Sequence, residues 1–255
     1  ANFSLNENEE ILDLKNTDDA VFFTTSQGRL FGLGSGYDYI FGNGTTLSQT
    51  LPLDITGYLN LSVDETISEV ITGWRHVIVL TSKNRVLAWG SNSNSSIDLE
   101  TVSYLMNPKD ITDLFNLNDG EVIVKLSAGY HCSFALTNHS RLFSWGYVSD
   151  GLIPTEFSVY ENFVNDITGK FNTEGEEQLL DVFVNFRNVI VTTDMGKVFS
   201  WGVNEYGEIG NGTIAYSYLP VRINIYEKEV YHEVTLYKGD PLSSPTISTQ
   251  DYIVD

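Results

Sequence analysis

Short apolar segments alternate with polar turns along the chain, and no segment has the spacing of an amphipathic helix. Residues 67–72 alternate between apolar and polar positions, as a half-buried strand does. The apolar run His76–Thr81 follows, and it is typical of a strand buried on both faces. The polar turn at 82–84 predicts a hairpin with Val86–Trp89. A fourth short strand is predicted at 108–112, with Pro108 at its start, where a missing N–H is harmless.

The pattern recurs with a period of 56 residues. The step of 56 joins Trp89-Gly90, Trp145-Gly146 and Trp201-Gly202, and it also joins Thr25, Thr81, Thr137 and Thr193. One such unit cannot bury both faces of its own sheet, so we expect the units to stack radially as the blades of a β-propeller. We therefore predict a single all-β domain with repeats at about 11–66, 67–122, 123–178 and 179–234. Residues 235–255 are then a degenerate fifth repeat or a closing strand.

The repeat resembles that of the regulator of chromosome condensation family. Residues 129–146 read GYHCSFALTNHSRLFSWG and residues 201–212 read WGVNEYGEIGNG. The family's repeat joins a Gly-x-x-His-hydrophobic-Leu-Thr segment to a Trp-Gly-x-Asn-x-x-Gly-x-Leu-Gly-x-Gly loop. The resemblance implies a propeller that usually closes with about seven blades, or roughly 390 residues at this period. This chain holds about four to five blades, so we expect a fragment of such a ring or a partial, open ring, with a smaller closed ring as the alternative.

Most of the motif residues are expected to be scaffold. The tryptophans supply apolar area between blades, Asn204 can bond loop backbone, and the glycines permit turns with positive φ. The expected structural residues are Trp89, Gly90, Trp145, Gly146, Trp201, Gly202, Asn204, Gly207, Gly210 and Gly212. The loops at 92–107 and 147–165 lose the glycine pattern, so they are free to hold binding residues. Candidate partner contacts are Tyr104, Phe115, Tyr147, Phe157 and Tyr160.

No enzyme signature is found in the sequence. It contains no Walker A loop, no Gly-x-Ser-x-Gly elbow, no His-Glu-x-x-His and no EF-hand loop. The histidine position of the repeat holds Ala20, His76, Cys132 and Asn188, so a ring of identical ligands is not expected. We therefore predict no catalytic residue, no cofactor and no metal site. The single cysteine, Cys132, is expected to be an inert core thiol, and it fits an intracellular, reducing compartment.

The charge balance limits the classes of partner that the chain can bind. The net charge is −20, with 34 acidic and 14 basic residues, and no basic cluster is present. This argues against nucleic acid, and the absence of a long apolar run argues against a membrane span. Acidic clusters occur at 1–20, 174–181 and 227–233. They are interpreted either as solvated surface or as a field that steers a partner with a basic face.

Two functions follow from these observations. The first is a non-enzymatic scaffold for protein–protein interaction, because the long loops after each Trp-Gly pair offer binding surfaces. The alternative, implied by the resemblance, is a guanine nucleotide exchange factor for a Ran-like small GTPase. Exchange needs no catalytic acid or base in the chain, so the lack of motifs does not exclude it. The regular repeat leaves no room for the wedge hairpin of the family's founding member, and this favours the scaffold.

Overall fold

The fold repeats one four-stranded unit four times. The computed structural model describes residues 3–92, 97, 103–146, 152–154, 164–185 and 187–223. Within these residues, four antiparallel sheets of four strands follow one another in chain order. Helical residues there are confined to short 3-10 turns at Tyr37–Tyr39, Thr56–Leu59, Thr112–Phe115 and Thr168–Lys170. The all-β fold with repeated four-stranded blades is therefore confirmed.

Each strand position has four equivalents. The first strands are β1 Ile11–Asn16, β5 Ile67–Thr72, β9 Ile123–Ala128 and β13 Leu179–Val184. The second strands are β2 Ala20–Thr25, β6 His76–Thr81, β10 Cys132–Thr137 and β14 Asn188–Thr193. The third strands are β3 Leu30–Gly34, β7 Val86–Ser91, β11 Leu142–Gly146 and β15 Val198–Gly202. The fourth strands are β4 Gln49–Asp54, β8 Tyr104–Asp110, β12 Asn165–Asp166 and β16 Ser217–Ile223. The predicted closing segment, 235–255, lies outside the described residues.

The fourth strand of the second blade differs from the prediction. It begins at Tyr104 and ends at Asp110, so Pro108 lies inside the strand. Among the described strands it pairs only with β7, and its register shifts between Ala88 and Gly90, next to Pro108. An edge strand with a bulge tolerates proline, because the missing N–H has no ladder partner to lose.

The core lies where neighbouring sheets face each other. The second and third strands of the second blade are buried along their whole length, as the apolar run predicted. One apolar cluster runs from the first blade into the third, and another joins the third blade to the fourth. Each inner sheet is therefore covered on both sides by other blades.

The first sheet has an uncovered face. Leu14 in β1 is 62% exposed, whereas the equivalent Val70, Leu126 and Val182 are at most 2% exposed. In the fourth sheet, Ile190 is exposed although Ile78 at the same position is buried. Within the described residues, the two outermost blades thus each lack one neighbour, as in an open ring.

The strand order gives the blades two different ends. We call one the loop-bearing end, where the turn from first to second strand meets the segment that joins third to fourth strand. Backbone hydrogen bonds connect the two: Ser35 N–H donates to Asp19 O at 2.8 Å and Ser91 N–H to Arg75 O at 2.8 Å. The segments at this end are 35–48, 92–103, 147–164 and 203–216. We call the other the turn end, where tight turns join second to third strand.

Candidate functional site

The turn end holds a repeated, buried ion-pair network. Glu9, Glu65, Glu121 and Glu177 stand 56 residues apart, and the side chain of each is inaccessible. Each carboxylate pairs with a cation from the second hairpin turn: Arg29, Arg85, Arg141 or Lys197. In the third blade, Arg141 Nη1 donates to Glu121 at 2.8 Å and Nε to Asp166 at 2.8 Å. These groups are satisfied by one another, so they hold the sheet together rather than present a site.

Threonine hydroxyls complete the network and set its protonation. Thr137 Oγ1 donates to Glu121 at 2.6 Å, and Thr193 Oγ1 donates to Glu177 at 2.6 Å. Burial raises the pKa of Glu121, but the hydrogen bonds from Thr137, Asn118 and Arg141 outweigh it and hold that pKa at about 2. The hydrogen bonds from Lys197 and Thr193 likewise lower the pKa of Glu177 to about 2. The prediction that the acidic clusters are surface is therefore wrong for Glu9 and Glu177, which are buried partners of cations.

The loop-bearing end holds a pocket at the inner edge of the blades, which we call the axial pocket. Its cavity is about 280 Å³ and is lined by the turns that follow β1, β5, β9 and β13. The lining residues are Asn16, Thr17, Asp18, Thr72, Gly73, Trp74, Ala128, Gly129, Tyr130, Val184 and Asn185. All four blades contribute to it, so the pocket exists only because the repeats are stacked.

Aromatic rings and carboxylates organise this pocket. Trp74 Nε1 donates a hydrogen bond to Asp18 of the preceding blade. The Trp74 ring stacks on Tyr130 of the following blade, with centroids 4.4 Å apart and planes 24° apart. The Arg75 guanidinium lies over the Trp74 ring at 4.3 Å. It also pairs with Asp38 at 3.0 Å and Asp19 at 3.7 Å. The contacts cross three blades, so the pocket wall is fixed by packing.

Lysine and arginine are unevenly distributed among the segments that connect the strands. The four segments that join third to fourth strands contain no lysine or arginine. Their acidic residues are Asp38, Asp98, Glu100, Asp150, Glu156, Glu161, Glu205 and Glu208. At the turn end, in contrast, Arg29, Arg85, Arg141 and Lys197 are each paired with a carboxylate. The segments that join third to fourth strands therefore carry acidic residues alone, while the arginines of this end, Arg75 and Arg187, lie in the turns between first and second strands.

The predicted partner contacts differ in how far they are exposed. Tyr104 is 40% exposed and lies near Tyr39 of the first blade's loop, with ring centroids 5.8 Å apart. Phe115 is 1% exposed, with its ring edge against Phe143 and Trp145. Its prediction as a surface contact is wrong, because it follows β8 at the turn end and fills the core. Tyr147, Phe157 and Tyr160 lie outside the described residues.

The motif tryptophans lie in the core between blades. Trp89 Nε1 donates to Ile40 O at 2.7 Å, and Trp201 Nε1 donates to Leu152 O at 2.8 Å. Trp145 Nε1 is buried without a hydrogen-bond partner in the described part of the chain. By the 56-residue register its equivalent acceptor residue would be Ser96, which lies outside that part. All three indoles are therefore core groups, at most 2% exposed.

The motif glycines and Asn204 shape the loop-bearing end. Gly90, Gly146 and Gly202 have φ of 103°, 114° and 116°, and a Cβ on Gly90 would lie 2.6 Å from Arg75 O. Gly207, Gly210 and Gly212 also have positive φ. Asn204 is buried, and its Nδ2 donates to Thr213 O at 2.7 Å and to Ala215 O at 3.0 Å, which closes the fourth loop.

The remaining candidate residues are buried and separate. His76 Nε2 lies 3.0 Å from Ser133 Oγ, and burial lowers the pKa of His76 to about 3. The Cys132 side chain is buried, 1% exposed. Among the described residues, no group of three or more His, Cys, Asp or Glu side chains has the arrangement of a metal site. A search of those residues for a helix long and apolar enough to cross a membrane found none.

Sequence reasoning missed both the ion-pair network and the axial pocket. The step of 56 from Glu9 and from Arg29 would have found the network, because all four copies keep a carboxylate and a cation. The pocket residues Asp18, Trp74 and Tyr130 also stand at the same position of successive repeats, but they are different residue types. Their shared position in the repeat is therefore the one signal that could have predicted that they lie close together.

Comparisons with known proteins agree with this repeat architecture. The family described as "Regulator of chromosome condensation (RCC1) repeat" matches residues 67–95 and residues 195–234. An RCC1 repeat-containing protein of Dictyostelium discoideum is 26% identical over 211 residues, 78% of this chain and 41% of that protein. The ultraviolet-B receptor UVR8 of Arabidopsis thaliana is 23% identical over 188 residues, 74% of this chain and 40% of the receptor. The chain thus spans about two fifths of the length of these relatives.

Solved structures show the same fold. Human WBSCR16 superposes with a TM-score of 0.72 at 18% identity, covering 87% of this chain and 55% of that one. Yeast RCC1 (Prp20), solved bound to Kap60, superposes with a TM-score of 0.68 at 21% identity, covering 88% of this chain and 50% of that one. The matched repeats, the relatives and the shared fold agree with the 56-residue register, and the chain contains repeats of the regulator of chromosome condensation (RCC1) type.

Proposed function

We propose that this chain is a non-enzymatic protein-interaction module that binds a basic partner through its loop-bearing end. The observation that carries the proposal is the single sign of charge in the four segments that join third to fourth strands. Both ends of each segment meet at the loop-bearing end, where the axial pocket also opens. Acidic segments that begin and end at the same end of the blades as a preformed pocket would attract and orient a cationic surface, and they would raise the rate of encounter.

The test is a selection for peptide ligands followed by matched neutralisation. Random peptides are selected for binding to the intact protein, and the affinities of the selected peptides are measured by titration. A loop variant carries Asp98→Asn, Glu100→Gln, Asp150→Asn, Glu156→Gln and Glu161→Gln. A control variant loses the same charge from exposed sites away from the loops: Glu7→Gln, Glu10→Gln, Asp64→Asn, Asp119→Asn and Glu176→Gln.

We expect cationic peptides to be selected, and their binding to weaken in the loop variant more than in the control. Binding should also weaken as salt rises from about 50 to 500 mM, since the Debye length falls below about 10 Å. Selection of peptides without a positive excess would overturn the proposal. An equal loss in both variants would also overturn it, because the loops would then have no special role.

Nucleotide exchange is the alternative and is measured separately. The yeast protein Prp20p, which shares this fold, has binding properties to Gsp1p and histones. The likeness to that protein is one of fold. Release of labelled GDP from a panel of small GTPases, with and without this chain, tests whether any of them is accelerated. Acceleration would replace the scaffold proposal with exchange-factor activity.

A further inference from the structure

We infer that the axial pocket is a subsite for a single arginine side chain of the partner. The inference rests on the proposed function and names the chemistry of its central contact. Of the described residues that line the pocket, Asp18 is the one with a formal charge, and none is Lys, Arg or His. A pocket with one carboxylate and two aromatic rings favours a cation over an anion or a neutral polar group.

The Asp18 carboxylate has hydrogen-bonding capacity to spare. It accepts the Trp74 indole N–H, and no cation among the described residues pairs with it. The neighbouring cation, Arg75, is already engaged by Asp38 and Asp19. A carboxylate can accept about four hydrogen bonds, so Asp18 can receive both N–H groups of one edge of a guanidinium.

The pocket suits a planar cation held by Asp18. The Trp74 ring already packs against the Arg75 guanidinium at 4.3 Å and stacks on Tyr130 at 4.4 Å, so it forms a fixed wall beside the carboxylate. Arginine presents a flat fork of donors and is weakly hydrated, whereas the ammonium of lysine is a compact and strongly hydrated charge. The cavity of about 280 Å³ is slightly smaller than the usual pocket for a drug-sized ligand. It is therefore suited to one side chain of a larger partner.

The experiment observes the Trp74 indole N–H directly by NMR of the ¹⁵N-labelled full chain. The probes are three acetylated and amidated tripeptides, Gly-Arg-Gly, Gly-Lys-Gly and Gly-citrulline-Gly. Citrulline keeps the planar shape of arginine but has no charge. We expect a saturable shift of the Trp74 resonance with the arginine peptide, weaker binding of the lysine peptide, and no saturation with citrulline.

Matched variants test whether the Asp18 carboxylate binds the arginine peptide. Asp18→Asn should weaken the arginine peptide about tenfold or more, the loss of one charge-assisted hydrogen-bond pair. Asp64→Asn removes the same charge from an exposed turn with positive φ, which asparagine adopts readily, and it should change nothing. The comparison of arginine with citrulline needs no variant, so it decides the matter even if Asp18→Asn does not fold.

Equal shifts with arginine and citrulline would overturn the arginine subsite, as would unchanged affinity in Asp18→Asn. If these fail while the loop variant still loses the selected cationic peptides, the proposed function stands and only the subsite is wrong. If the loop variant also keeps its peptides, both are wrong.

Discussion

The two ends of the blades are made from one repeat, yet they differ in how strictly they follow it. At the turn end, a glutamate, a threonine and a cation return in every blade, and the glutamate contacts both of the others. At the loop-bearing end, one register position holds Asp18, Trp74 and Tyr130 in three successive blades.

The difference has a physical origin. A buried carboxylate without its cation and hydroxyl would cost several kcal/mol, so each copy of the repeat must keep all of these partners. Side chains that face a pocket or solvent carry no such penalty, so they are free to differ. Uniform positions therefore mark the scaffold, and divergent positions around a shared cavity mark the surface available for recognition.

The largest contrast is expected between two tryptophans, one in the core and one at the axial pocket. Trp201 is fully buried against Phe134 and Phe171, so Trp201→Ala should cost on the order of 3–5 kcal/mol of unfolding free energy. Trp74 is only partly buried, and Trp74→Ala should cost about 1 kcal/mol. Urea unfolding of both variants measures the difference. An unchanged midpoint for Trp201→Ala would show that it is not part of the core.

The next contrast concerns two carboxylates. Glu121→Ala leaves Arg141 and Thr137 without their shared acceptor, and we expect the melting temperature to fall by about 5 °C or more. Asp18→Ala removes an exposed carboxylate and should lower it by about 1–2 °C. Thermal melts followed by circular dichroism compare the two. Equal losses would mean that the axial pocket is as much scaffold as the turn end.

The sequence predicted the scaffold better than the site, for a reason that Glu9 and Trp89 illustrate. The recurrence of Trp89 at 145 and 201 predicts repeated sheets, because a large apolar residue that returns at one position of a repeat is expected to be buried in each of those copies. The same reasoning applies to a recurring glutamate, but charged residues are so often exposed that the acidic cluster around Glu9 favours a surface interpretation. The axial pocket needs the stacking of several blades, which no single repeat contains.

Lowering the pH should destabilise the ion-pair network at the turn end. Glu9, Glu65, Glu121 and Glu177 all have a pKa lowered from 4.5 to about 2. Below pH 4.5 these glutamates bind protons in the unfolded chain, whereas in the folded chain they remain ionised until about pH 2. Their contribution to stability is therefore present above pH 4.5 and is lost as pH falls towards 2. Urea midpoints across this range should fall steeply, and less steeply in Glu121→Gln. Parallel curves would place the acid sensitivity elsewhere.

A separate and shallower loss is expected at higher pH from His76. Burial lowers its pKa from 6.5 to about 3, so the folded chain keeps it neutral while the unfolded chain binds a proton below pH 6.5. Stability should therefore decline as pH falls from 6.5 to 3. His76→Asn introduces the residue found at the equivalent Asn188 and should remove this part of the decline. The same slope between pH 6.5 and 5 in both proteins would contradict it.

The smallest effect on stability is expected from exchanging loops at the loop-bearing end. Residues 91–100 are replaced by the sequence of 203–212, VNEYGEIGNG, which keeps the loop length and its two acidic residues. The graft also keeps the buried pair in which Asn92 Oδ1 accepts Ile97 N–H at 3.1 Å, since Asn204 and Ile209 have the same contact at 2.9 Å. We expect unfolding free energy to change by less than about 0.5 kcal/mol.

The graft should also change binding. Loop-specific contacts would be lost but long-range charge would not, so a selected cationic ligand should dissociate faster while its association keeps the same salt dependence. Surface plasmon resonance at several salt concentrations separates the two rates. Unchanged dissociation would mean that the second loop makes no contact, and the pocket and the other loops would then account for binding.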